Sequence, residues 1–171
     1  ETLNTNLEIK IIDNDSEYIE RVIQLFNRTN QFNLKNSKYS YESFLRKLSD
    51  KSYKYYYGIV SDRIGSEGLV SVIGFKEDKE FIFICDYILS CRVFGRYIEE
   101  LMLLPILKIA NKKGKGIYFE LKNSERNKIS TSFINKTCKG ELCIEYSLVS
   151  SIIKVYEKLP INIQYSKTLI D

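Results

Sequence analysis

The chain has 171 residues, 44% of them hydrophobic and 28% charged, the profile of a globular protein able to bury a substantial core. Its 26 basic against 22 acidic residues leave a net charge of only +4, too mild to argue for nucleic acid, and no basic groove with base-stacking aromatics is evident. Histidine is absent, which removes imidazole-based nucleophile pairs and the commonest partner ligand for zinc, so no metal is expected.

Cys85, Cys91, Cys138 and Cys143 do not have CxxC spacing, and no secretory segment is expected ahead of them. Reduced thiols and a cytoplasmic location are the expectation. The longest apolar run, Leu101 to Ala110, is too short to cross a bilayer and is broken by Pro105 and Lys108. The 13 tyrosines, with many Lys, Asn and Ile, read as coding bias as much as function. The chain begins at Glu1 without methionine and is expected to be one domain over 1–171, a C-terminal fragment of a longer protein.

Leu7 to Ile12 alternates as a first strand. Asp13 to Ser16 supply turn and N-cap chemistry for a helix with Ile19, Val22, Ile23 and Phe26 on one face, ending near Asn27 to Asn30. A loop through Arg28 to Leu34 follows. Ser40 then caps a second helix carrying Phe44, Leu45 and Leu48 and ending near Asp50. Three strands come next, Tyr53 to Ser61, Leu69 to Lys76 and Phe81 to Leu89, the last apolar enough to be central. A long helix runs from Tyr97 to about Lys113, with Pro105 inside it and Gly114 as a cap. Gly116 to Leu121 is a strand and Lys128 to Lys136 a helix; a short strand, a short helix and a terminal strand at Ile161 to Gln164 complete the chain. This order predicts a mixed α/β fold of α+β character. Its central sheet is mostly antiparallel, flanked by helices, with one parallel crossover between the Phe81 and Gly116 strands.

The turn between the Phe81 strand and the long helix carries the clearest chemistry. A strand feeding into a helix leaves the first N–H groups unpaired at the positive end of the dipole, and Arg92 and Arg96 add guanidinium forks. Leu89, Ser90, Cys91, Arg92, Val93, Phe94, Gly95, Arg96 and Tyr97 are therefore the candidate anion site. The N–H groups of Phe94 to Ile98 are expected to hold phosphate, and the end of the Phe81 strand to pair with an extended amide chain.

Arg92 to Tyr97 resembles the Gln/Arg-x-x-Gly-x-Gly/Ala signature of the GNAT acyltransferase superfamily, which binds the pyrophosphate of acyl-CoA. Tyr97 stands where that signature has Gly or Ala, so a side chain restricts the approach of a pyrophosphate. A narrower resemblance lies in Gln24-Leu25-Phe26-Asn27-Arg28-Thr29-Asn30-Gln31-Phe32-Asn33-Leu34, in Gly68-Leu69-Val70, in Leu89 to Arg96, and in Arg126-Asn127 ahead of Phe133. These blocks are similar, in order and rough spacing, to those of FkbH-like proteins; the family's closing Tyr-x-x-Leu-Gly-Phe block is degraded here. The resemblance implies a GNAT-like domain that in the parent chain follows a phosphatase-like domain of the haloacid dehalogenase (HAD) type. It implies acetyl-CoA, another acyl-CoA or phosphopantetheine as cofactor, an acyl carrier protein as partner, and a role in loading a glyceryl unit. A non-catalytic module docking the carrier protein or the phosphatase-like domain is the alternative.

Without histidine, proton transfer falls to carboxylates and tyrosines. Asp86 and Glu120 are the candidates, beside Tyr87 and Tyr118, and either carboxylate can equally be an ordinary residue of an alternating strand. Cys91 is a candidate nucleophile or a small residue at a strand end. Arg28 and Asn30 either contact substrate or hold a loop through backbone bonds, and Asn127 is either a CoA contact or a helix N-cap.

Overall fold

Alternating and β-branched runs build one mixed sheet in the computed structural model, which describes residues 4–165 and Leu169. In chain order the elements are β1 (Asn6–Ile11), α1 (Ile19–Arg28), α2 (Tyr41–Ser49), β2 (Lys54–Ser61), β3 (Ser66–Glu77), β4 (Phe81–Leu89), α3 (Ile98–Lys113), β5 (Gly116–Phe119), α4 (Lys128–Thr137), β6 (Cys143–Ile144), α5 (Tyr146–Tyr156) and β7 (Asn162–Tyr165). A single 3-10 turn, Cys91–Val93, joins β4 to α3.

The sheet has seven strands in the order β6-β5-β4-β3-β2-β1-β7. β1 to β4 form an antiparallel meander, and α3 crosses over so that β5 pairs parallel with β4. A second parallel pair, β1 with β7, corrects the expectation of one crossover. The chain after α5 returns to the far edge, where Ile161 and Ile163 pack on the core and β1 gains a second neighbour.

Two apolar cores lie on the two faces. On one, Ile19, Val22, Leu25 and Phe26 of α1 and Phe44 of α2 meet Tyr55, Tyr57, Val72 and Ile88. On the other, α3, α4 and α5 cover Tyr56, Ile73, Ile84 and Tyr87. α3 lies between the sheet and α5, which is why it is apolar on nearly every side; Pro105 sits buried within it and removes one backbone donor without ending the helix. α2 starts with a reciprocal Ser40–Ser43 capping box.

One row across the sheet depends on a glycine. Tyr55, Gly74 and Asp86 are register partners on β2, β3 and β4. A Cβ at Gly74 would lie 2.6 Å from Tyr55 Cζ, so only glycine lets that ring lie across β3 and reach Asp86.

Candidate functional site

β4 and β5 pair only from Phe81↔Gly116 to Ile84↔Phe119, and beyond Ile84 the two chains diverge. The freed edge of β4 is not open to a ligand. The loop between α1 and α2 enters the gap as a short strand, with Asn33 bridging Ile88 antiparallel. Leu34 N–H donates to Tyr87 O (3.0 Å) and Leu89 N–H to Phe32 O (3.1 Å). On the other side Lys122 N–H donates to Leu34 O (3.0 Å) and Ser130 N–H to Gln31 O (3.2 Å). The edge expected to pair with an extended amide chain is thus paired already, by the protein itself. Phe32 and Leu34 are wholly buried, Phe32 edge-on to Tyr87 at 5.0 Å, and their burial contributes roughly 1.5–3 kcal/mol each.

Asn127 clamps this segment. Fully buried, it donates through Nδ2 to Asn33 O (2.9 Å), Lys122 O (3.0 Å) and Leu34 O (3.3 Å), and accepts at Oδ1 from Ser124 N–H (2.8 Å). It opens α4 without a side-chain cap bond. Asn127 thus stands at the N-cap position of α4, as one of the two expectations has it, but its amide is spent on the inserted segment and not on a helix N–H or a CoA.

The turn after β4 also departs from expectation. Val93 N–H donates to Ser90 O (3.2 Å), Phe94 N–H to Cys91 O (3.4 Å) and Arg96 N–H to Val93 O (3.3 Å). Gly95 N–H donates to Glu99 Oε1 at 3.0 Å, so a carboxylate holds the place foreseen for phosphate. Glu100 lies in the same first helical turn, where burial pushes its carboxyl above the usual range. Arg96 faces Asp62 (3.4 Å) and Glu67 (4.0 Å). Tyr97 takes a left-handed φ of 66° immediately before α3, a conformation that glycine adopts at less cost. With the Phe94, Gly95 and Arg96 N–H groups engaged and two carboxylates in α3's first turn, this turn is poorly suited to a pyrophosphate.

Asp86 is 1% exposed and accepts from three hydroxyls, Tyr39 Oη (2.5 Å), Tyr55 Oη (2.6 Å) and Ser37 Oγ (2.6 Å). Burial, then the neighbouring carboxylate, push both phenols far above their ordinary range, so they stay protonated donors. This cluster ties loop, β2 and β4 together in the core. It corrects Asp86 from proton acceptor to structural acceptor. Glu120 is likewise engaged, by Lys35 (3.1 Å) and Lys76 (3.5 Å). Tyr87 is wholly buried, and its hydroxyl donates to Glu99 O.

What remains is a hollow of about 550 Å³ at the C-terminal end of β4. Arg21 and Arg28 from α1, Asn30 and Gln31 from the loop, and Cys91 and Arg92 from the turn line it, with Leu25, Leu89 and Phe94 giving it an apolar side. The structure thereby brings together Arg28, Asn30 and Leu89 to Arg92, chosen from two distant stretches of the sequence. Arg92 is 3.6 Å from Glu67 and Arg21 bonds the Gln24 amide, while Arg28 has no ion-pair partner among the described residues. Lys38 closes the C-terminal end of α1 by donating to Phe26 O, Thr29 O and Asn30 Oδ1 (3.1, 3.2 and 2.9 Å), offsetting the negative end of that dipole near the hollow. Three guanidiniums facing one space suit a phosphate or carboxylate. Cys91 is exposed and, of the three candidate catalytic residues, is the one that opens here. Arg21 escaped the sequence reading, although Arg21, Leu25 and Arg28, four and three residues apart, share one helix face.

Among the described residues no cluster of three or more Cys, Asp or Glu could hold a metal, and no helix is long and apolar enough to cross a membrane. All four cysteines are free thiols; burial raises Cys85 to about 11 and Cys138 to about 12.

No protein-family model matches the chain, and no curated protein matches it in sequence. Solved structures match it in fold. A mutant of the spermidine N-acetyltransferase SpeG from Vibrio cholerae aligns with TM-score 0.57 and 12% identity, over 85% of this chain and 96% of that one. The PaiA N-acetyltransferase from Thermoplasma acidophilum, in complex with coenzyme A, gives 0.56 and 17% over 77% and 88%. An aminoglycoside N-acetyltransferase in complex with CoA gives 0.54 and 10% over 77% and 86%. At these identities the likeness establishes the fold: a mixed sheet with helices on both faces, as in GNAT acetyltransferases.

Proposed function

We propose that this chain of GNAT fold is an acyl-transfer domain, the C-terminal part of an FkbH-like protein that works in the cytoplasm beside a phosphatase-like domain. Its ligand is the phosphopantetheine group of an acyl thioester, on CoA or on an acyl carrier protein. The phosphate is held in the arginine-lined hollow. The observation that carries this reading is that the two longest blocks resembling FkbH-like proteins, Gln24 to Leu34 and Leu89 to Arg96, supply most of the lining of one space. The thioester supplies an acyl group activated toward nucleophiles. The chain's own residues hold it: Arg28, Arg92 and Arg21 at the phosphate, Asn30 and Gln31 at polar atoms of the arm, and Leu25, Leu89 and Phe94 along its apolar part.

A second reading, a non-catalytic module docking carrier protein or the phosphatase-like domain, is favoured by the engagement of Asp86 and Glu120 in bonds away from the hollow. Calorimetry with CoA and with phosphopantetheinylated carrier protein, followed by single-turnover assays with acyl thioesters, separates the two. The primary reading expects binding and transfer, with Arg28→Gln weakening binding about 10- to 100-fold. Carrier-protein binding without turnover favours the module. Absence of binding to either ligand overturns the primary reading and the carrier-protein form of the second.

A further inference from the structure

We propose that Phe32-Asn33-Leu34 is a permanent strand of the sheet and decides what the domain can bind: the β4 edge is closed to strand addition, and a ligand is held by its anionic group in the arginine-lined hollow. Only the second half rests on the function proposed for the hollow. Where β4 and β5 part beyond Ile84, an open sheet would offer the backbone groups of Tyr87 and Leu89 to any extended amide chain. Here those groups bond Leu34 N–H and Phe32 O at 3.0 and 3.1 Å.

The segment is held too firmly for a ligand to replace it readily. Asn33 is 1% exposed, and its amide donates to Thr29 O and Ser37 O and accepts from Ser37 N–H, at 3.1, 3.0 and 3.0 Å. Asn127 holds the same segment from the side of α4. Withdrawing it would expose Phe32 and Leu34 and break bonds on both sides at once. Any ligand lying along β4 would first have to make good all of this. The hollow asks for no displacement, because Arg21, Arg28 and Arg92 already face it. A ligand's amide arm therefore adds little to affinity, and its phosphate or carboxylate adds most.

Amide hydrogen exchange on the unliganded protein tests the first half. Leu34, Leu89 and Lys122 are expected to exchange as slowly as the β3–β4 ladder amides, within about tenfold. Exchange of Leu34 at loop-like rates overturns the proposal, as does loss of its protection when CoA is added. Calorimetry with pantetheine, 4′-phosphopantetheine and CoA tests the second half. Phosphopantetheine and CoA should bind within a few-fold of each other and pantetheine about 10- to 100-fold more weakly, because it lacks the charged acceptor. Comparable binding of pantetheine overturns the proposal. Slow exchange with no binding of any of the three would uphold the closed edge and overturn the hollow as a phosphopantetheine site.

Discussion

Replacing Asn127 by alanine should loosen the inserted segment more than any other single change away from the hollow. Its side chain makes five hydrogen bonds: to Asn33 O, Leu34 O and Lys122 O, and from Ser124 N–H and Ser124 Oγ. The three carbonyls each keep a second donor: Asn36 N–H at 3.4 Å, Lys122 N–H at 3.0 Å and Asn36 Nδ2 at 3.5 Å, respectively. The loss is therefore nearer the net worth of several bonds than the cost of several orphaned groups, about 2–4 kcal/mol. For a chain of this size that lowers Tm by about 5–15 °C. Urea unfolding gives the energy, and hydrogen exchange at Leu34 shows whether the loss falls on the segment. Asn127→Asp keeps the acceptor for Ser124 but turns a carboxylate oxygen toward the three carbonyls, so it should cost at least as much. A loss below about 0.5 kcal/mol, or unchanged exchange at Leu34, would refute the reasoning.

Other substitutions probe the remaining assignments. Asp86→Asn should cost about 2–4 kcal/mol in urea unfolding, since one carboxylate accepts from three hydroxyls, while binding in the hollow stays within about twofold; normal stability with lost acyl transfer would restore Asp86 to catalysis. Gly74→Ala drives a Cβ into the Tyr55 ring and should cost about 2–4 kcal/mol, with less than additive loss when combined with Tyr55→Phe, as a double-mutant cycle would show. Burial raises the folded-state pKa of Glu100 above its unfolded value, so the folded protein holds that proton longer and stability falls as pH rises past about 4.5. Glu100→Gln should therefore raise Tm at pH 7 and leave it unchanged near pH 4; equal gains at both would contradict this sign.

Much of the architecture is legible in the sequence because periodicity and punctuation agree. The apolar run from Phe81 to Leu89, the abrupt polar turn and the long helix after it all appear where patterning puts them. β7 pairs across the sheet with β1, a long-range choice that local pattern does not encode. The inserted segment is harder to see. Gln31-Phe32-Asn33-Leu34-Lys35 alternates polar and apolar like a strand, yet three residues paired to β4 are too few for periodicity to separate from a loop. Asp86 interrupts an otherwise apolar strand, and its partners Ser37, Tyr39 and Tyr55 come from a loop and another strand. Part of the tyrosine content ascribed to coding bias thus has a structural use. The sequence pattern points to the N-terminus of α3 for the anion site, whereas the arginines gather beside it. Glu99, four residues beyond Gly95 and free to reach back to its N–H, is the local signal that this turn closes on itself.

The most direct test of the hollow is an NMR titration of the protein with 4′-phosphopantetheine, following the arginine Nε–H groups and the backbone amides together. The account predicts that Arg21, Arg28, Arg92 and the Cys91 amide shift, while Leu34, Tyr87 and the first turn of α3 do not. Shifts gathered along β4 and at Glu99 to Leu101, with the three arginines unmoved, would contradict it.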